Sequence, residues 1–210
     1  MRHGESEANA FGRIQGRRDY PLNEAGRAQA RAASAWFSDK GVASVLCSPL
    51  ERACDTARIV ASGLGLAPPS VEPALIELDT GPFSGMSMAE IRERLPEDYA
   101  RFQSSSWEGV RGAESAESMR IRALQAWERL KAEALRSAGN VLAVSHGGTL
   151  QWLVRIWFGA RSWIPVLPTG NCCVYRLAVM PGEDGRAAYM QWRDLNTDTC
   201  AGLPRTPPVF

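Results

Sequence analysis

Apolar and polar positions along this chain follow two alternating periods. After Asn23, which can cap a helix, Ala25, Ala28, Ala32, Trp36 and Phe37 recur at helical spacing as far as about Lys40, and Gly41 ends the run. Ala43-Ser44-Val45-Leu46-Cys47 is short, apolar and partly β-branched, and predicts a buried strand. Ser48-Pro49 opens a second helix to about Leu64, with proline at a favoured first-turn position. Pro68-Pro69 breaks the chain before a short strand around Val71, and residues 76–86 read as a loop. Helical patterns follow near 87–95, 97–103 and 115–137, and Asn140-Val141-Leu142-Ala143-Val144 is a further buried strand. Gly147-Gly148 opens a helix over about 149–159. Strands near 172–179 and 187–194 flank Pro181-Gly182-Glu183-Asp184-Gly185, which reads as a hairpin turn.

Strands that alternate with helices predict an α/β fold: a three-layer α/β/α sandwich around a largely parallel central sheet. Such sheets bind ligands beyond the carboxyl ends of their strands. His146 directly follows one strand and Arg52 follows another after a short turn, so both project to the same edge. Residues 1–210 read as a single domain, with a variable cap region at about 86–115.

Composition narrows the picture. The 210 residues are 45% hydrophobic, enough for one substantial core, and the formal net charge of +1 carries no electrostatic footprint for nucleic acid. No apolar run reaches the roughly 18 residues needed to span a bilayer, and the first residues hold no signal-peptide core. A cytoplasmic address with no membrane partner is the expectation. The five cysteines are odd in number and form no CxxC pair, which argues against a disulfide framework and a zinc cluster. Cys172 and Cys173 are expected to be neighbours on a strand. No metal and no cofactor are implied.

Only two histidines are present, each followed by glycine: His3 in Arg2-His3-Gly4-Glu5-Ser6 and His146 in Ser145-His146-Gly147-Gly148. Histidine serves as nucleophile or proton carrier near neutral pH, and the glycines suggest close approach of a ligand. Between these segments lie Asn9, Pro21-Leu22-Asn23-Glu24-Ala25-Gly26, Ser48-Pro49-Leu50-Glu51-Arg52-Ala53 with Thr56-Ala57, and Glu77 ahead of Gly81 and Gly85. Taken in this order, the segments resemble the histidine phosphatase (phosphoglycerate-mutase-like) superfamily.

The resemblance implies a metal-independent phosphomonoesterase acting on a small phosphate ester. It casts His3 as the nucleophile that forms a phosphohistidine, and Arg2 and Arg52 as the phosphate-binding arginines. Guanidinium suits that task because it stays charged and bonds two oxygens at once. His146 corresponds to the histidine that donates to the phosphoryl oxygens. Glu77 corresponds to the acid that protonates the leaving oxygen and then acts as base on water. Glu72 and Asp79 are its close rivals. Asn9, Gln15 and Gly147 are candidate phosphate contacts, although Asn and Gln are also ordinary loop residues. The short interval between Glu77 and His146 favours the phosphatase branch. A cofactor-dependent mutase and a non-catalytic phosphate-binding regulatory module are the alternatives, and a homodimer stays open.

Three further expectations follow. Glu114-Ser115 either belongs to the family pattern, with Ala113 replacing a glycine, or caps a helix. Trp127, Trp152 and Trp157 belong in the core, whereas Trp107 is the aromatic candidate for substrate contact. The family places an interior strand before Arg-His-Gly, but only Met1 precedes Arg2, so that strand is expected to be cut short. An upstream start, a different segment or partner chain in its place, and a destabilised relative are the readings left open.

Overall fold

The computed structural model describes residues 1–163, 169–183 and 187–204. A short helix α1 (Glu7–Ala10) follows the His3 segment, and α2 (Glu24–Phe37) is capped by the Asn23 side chain, which accepts from the Gly26 amide at 2.8 Å. Next come β1 (Val42–Cys47), α3 (Glu51–Gly63) and the two-residue strand β2 (Ser70–Val71). Residues 86–115 hold α4 (Met88–Arg94) and α5 (Pro96–Ser105). The chain continues through α6 (Ala116–Arg136), β3 (Asn140–Val144) and α7 (Gly147–Arg155) to β4 (Val174–Pro181) and β5 (Ala187–Thr197).

The strands β2, β1 and β3 form a parallel sheet in that order, and β4 pairs antiparallel with β5. Alternation on the parallel strands builds the layers. Val45, Cys47, Leu142 and Val144 face α2 and α3, where Ala33, Phe37, Ala53, Ala57 and Val60 complete one apolar cluster. Leu46, with Val141 and Ala143, faces the opposite way, toward Met119, Ala123 and Trp127 of α6 and Leu150 and Leu153 of α7. Each face thus buries its own stripe of helix. The resulting three-layer α/β/α arrangement matches the expected fold class.

Met1–His3 run along β3 as the stub of one more strand. The Met1 nitrogen donates to the Ala143 carbonyl at 2.8 Å, the Ser145 amide to Met1 O at 2.9 Å, and the His3 amide to Ser145 O at 2.9 Å. On the other side, the Arg2 amide donates to Cys173 O at 3.0 Å. The stub therefore joins the parallel strands to the β4–β5 ribbon. Below Met1 a cavity of about 440 Å³ separates β3 from β4, lined by Val141, Ala143, Tyr175, Leu177, Trp127 and Trp192. No segment among the described residues fills this gap.

Four expectations are corrected. Trp107 does not line the site cavity; it is buried against Phe83 and Phe102 in an apolar cluster. Trp157 is not core: it is 39% exposed, with its ring against Trp127 and Lys131. Cys172 and Cys173 precede β4 instead of lying on it, and Cys172 takes a left-handed φ of 53°. The helix expected at 149–159 starts two residues earlier, at Gly147, and its last turn is a 3-10 turn at Ile156–Phe158. Of the expected hairpin turn, Asp184 and Gly185 lie outside the described residues.

Candidate active site

Three carboxyl ends of backbone deliver the site. The stub ends in Arg2-His3, β1 leads through Ser48-Pro49-Leu50 into α3 and Arg52, and β3 leads through Ser145 to His146, the N-cap of α7. The glycine after His3 serves packing and not ligand approach. A Cβ on Gly4 would stand 2.5 Å from the Gly26 carbonyl, and one on Gly26 would stand 2.0 Å from that of Glu5, so the His3 segment lies directly on the first turn of α2. The Gly4 amide donates to Thr56 Oγ1 at 3.0 Å, and the Glu5 amide to Gln29 Oε1 at 2.9 Å.

These contacts fix His3, whose ring is buried. Its Nδ1 lies 2.6 Å from the Gly4 carbonyl, which can only accept, so Nδ1 carries the proton and Nε2 presents its lone pair. Arg52 Nε donates to that Nε2 at 3.3 Å, while its two terminal nitrogens donate to the carbonyls of Arg18 and Gly16 at 2.9 Å each. The guanidinium is thus held by the loop in front of it. Burial lowers its pKa to about 10, so it remains charged at neutral pH. Arg2 is tethered to the Thr169 carbonyl, and its Nε is buried without a partner.

His146 is fully buried, with its ring centroid 5.2 Å from that of His3. Its Nε2 lies 2.7 Å from Ser48 Oγ, which also accepts from the Leu50 amide at 3.3 Å. The Ser48 hydroxyl has no other acceptor among the described residues, so it donates to Nε2, the proton on the ring sits at Nδ1, and that Nδ1 has no partner. Desolvation, followed by the charge of Arg52, holds the pKa values of both histidines well below 6.5. Both rings are neutral at pH 7, as a nucleophile and a hydrogen-bond donor require.

Glu77 sits under the N-terminus of α7. Its Oε1 accepts from the Leu78 amide at 2.9 Å and the Thr149 amide at 3.1 Å, and its Oε2 from the Gly148 amide at 3.3 Å. A Cβ on Gly148 would stand 2.8 Å from Oε1, so the carboxyl group occupies the space that this glycine leaves. The rivals lie elsewhere. Glu72 caps a 3-10 turn and pairs with Arg129, and Asp79 accepts from the Gly81 amide.

Arg2, His3, Arg52, Glu77, Asn9, Gln15 and Gly147 all line one tight cavity of about 30 Å³. His146 is not among the groups that line it, although its ring lies against that of His3. The single hydroxyl proton of Ser6 lies between Asn9 Oδ1 at 3.0 Å and Gln15 Oε1 at 2.8 Å, and Asn9 Oδ1 also accepts from the Ser6 amide at 3.1 Å, which leaves the two NH2 groups as donors for an anion. The far larger cavity in the sheet gap is apolar and holds none of these groups, so chemistry and not volume marks the site.

Sequence reasoning missed several supports. Ser48 orients His146, and its signal was the Ser-Pro pair ahead of Arg52. Asn171 donates to the His3 carbonyl at 3.0 Å from a distant segment with no local signature. Arg122 on α6 pairs with Glu114 at 2.8 Å and bonds the Ile76 carbonyl, bracing the Glu77 loop. Ser115 caps α6, as one of its two readings expected.

Two neutral histidines thus lie with the buried Arg52 and the half-buried Arg2 at the carboxyl edge of the parallel sheet. The sequence model of the histidine phosphatase superfamily (branch 1) matches residues 1–194, and the chain belongs to that superfamily. It is 33% identical over 165 residues to a bifunctional protein of Mycobacterium tuberculosis, a match covering 78% of this chain and 44% of that protein. The chain thus spans less than half the length of that relative. It is 36% identical over 155 residues to a metal-independent phosphoserine phosphatase of Arabidopsis thaliana, covering 72% of this chain and 64% of the relative. The solved structure of a mycobacterial glucosyl-3-phosphoglycerate phosphatase superposes with a TM-score of 0.78 at 26% identity, covering 93% of this chain and 95% of that one. A 2,3-bisphosphoglycerate-dependent phosphoglycerate mutase is also among the relatives. No helix among the described residues is long and apolar enough to cross a membrane.

Proposed function

We propose that this chain is a metal-independent phosphomonoesterase that hydrolyses a small, polar phosphate ester through a phosphohistidine on His3. The observation that carries this reading is a pair of buried donors without partners, Arg2 Nε and His146 Nδ1, beside a histidine whose Nε2 lone pair is exposed to the cavity by its bond to Gly4. Orphaned buried donors are rare, and phosphoryl oxygens would satisfy them.

In the first step His3 Nε2 attacks phosphorus in line with the ester oxygen. Arg52 Nε moves from Nε2 to an equatorial oxygen, and Arg2 and His146 hold the others. As the P–O bond breaks, the leaving oxygen takes a proton from the Glu77 carboxyl group. Water then attacks the phosphohistidine and gives a proton back to Glu77, and the P–N bond breaks to release phosphate and restore His3. The relatives' names make phosphoserine and glucosyl-3-phosphoglycerate the first esters to try.

The test is hydrolysis of p-nitrophenyl phosphate and of those two esters in the presence of a chelator. Turnover in chelator that His3→Ala abolishes, with acid-labile phosphate trapped on His3, is expected. Turnover that stops in chelator, or survives in His3→Ala, overturns the reading. With 3-phosphoglycerate and a trace of 2,3-bisphosphoglycerate, isomerisation faster than phosphate release would identify a mutase instead.

A further inference from the structure

Behind the turn that carries Ser48 and Arg52, two thiols are in contact. Cys47 closes β1 and Cys54 lies in the first turn of α3, and their sulfurs are 3.3 Å apart. A disulfide holds its sulfurs about 2.05 Å apart, so a closure of roughly 1.3 Å would join them. The contact is also wired to the site. Cys54 Sγ donates to the Ser48 carbonyl at 3.0 Å, and the Ser48 hydroxyl is the 2.7 Å partner of His146. Arg52 lies two residues before Cys54 on the same helical turn.

We propose that Cys47 and Cys54 are a redox-modification site, at which a peroxide forms a reversible disulfide that impairs phosphate binding at the neighbouring site. One peroxide oxidises the Cys54 thiol to a sulfenic acid and releases one water. The Cys47 sulfur then attacks the Cys54 sulfur, the S–S bond forms, and a second water leaves. Two thiols lose two electrons and two protons, and the peroxide accepts them. The order follows from the surroundings. Cys54 is 6% exposed and Cys47 only 1%, and burial together with the contact to Cys54 pushes the Cys47 thiol up to about 12. The reaction belongs to the slow end of the seconds-to-hours range of disulfide formation.

The bond would act on the site in two ways. It removes the S–H donor from the Ser48 carbonyl, and it draws the first turn of α3 toward β1. Ser48 and Arg52 shift with that turn. A displacement of up to an ångström in such groups costs roughly 10- to 100-fold in rate.

The activity readout rests on the phosphatase reading, whereas phosphate binding does not, so both are measured. The protein is treated with hydrogen peroxide, residual thiols are alkylated, and peptide masses locate any link. Inorganic phosphate binding and p-nitrophenyl phosphate turnover are followed before and after dithiothreitol. The expected result is a Cys47–Cys54 link, phosphate binding and turnover weakened 10-fold or more, and recovery on reduction. Cys47→Ala and Cys54→Ser should bind phosphate in peroxide as they do without it. A link at other cysteines such as Cys172 and Cys200, sulfinic acid on Cys54 without a link, or a Cys47–Cys54 link that leaves phosphate binding unchanged overturns the proposal. Absent turnover in the reduced protein would count against the phosphatase reading alone, and phosphate binding would still decide the switch.

Discussion

At the scale of single residues, the site depends on directional bonds that two side chains of like charge do not share. Arg52 directs three nitrogens at three acceptors: His3 Nε2, Arg18 O and Gly16 O. Lysine has the charge but a single nitrogen, so Arg52→Lys should lower kcat by about 100- to 1,000-fold, the loss typical of removing an aligned donor. Steady-state kinetics would check this, and a change confined to KM would refute it. The histidines also carry a pH signature. Their folded-state pKa values lie well below the unfolded value of 6.5, so below that pH the unfolded chain binds protons that the folded chain refuses. Stability from this source is complete above pH 6.5 and is lost as pH falls beneath it. Urea midpoints should therefore drop between pH 8 and pH 5.5, ahead of most carboxylate titration, and His3→Gln should shrink the drop. An equal drop in wild type and variant would remove His3 as its origin.

At the scale of elements, packing is interrupted at the gap between β3 and β4. Ala143 turns its carbonyl to the Met1 nitrogen, while Val141, two residues earlier, lines the open cavity. An engineered extension of five alternating β-branched residues ahead of Met1 should enter the gap, pair with both neighbours and cover Trp127 and Trp192. Burying two or three such side chains, less the entropy of ordering them, should contribute about 2 kcal/mol, or roughly 4–8 °C in Tm for a chain of this size. An unchanged Tm in a calorimetric scan would show that the gap does not accept a strand. The elements around the gap were legible in the sequence because their signals are local. Asn23 caps α2, the runs ending at Cys47 and Val144 are apolar on both faces, and Gly147-Gly148 opens α7. Trp107 was expected at the site from its place in the variable region and Trp157 in the core from helical spacing, and neither signal says what lies opposite the ring. Phe83 and Phe102 cover the first, and the second lies near the end of its helix with little beyond it.

At the scale of the whole molecule, the sequence by itself determined the class of fold, and its ordered motifs singled out the two histidines, the two arginines and Glu77 as candidates through a family resemblance. Those motifs are legible because each spans only a few residues. Tertiary structure alone decided how those groups are poised. The proton on His3 is placed by the Gly4 carbonyl, that on His146 by Ser48 across 98 residues, and Glu77 is held by amides of α7 more than 70 residues away. Asn171 and Arg122 reach the site from segments that carry no local mark of it. The pattern of side chains along a chain fixes which faces must be buried. Hydrogen-bond direction, desolvation and charge depend on which distant groups meet, and only the packed sheet and helices specify that.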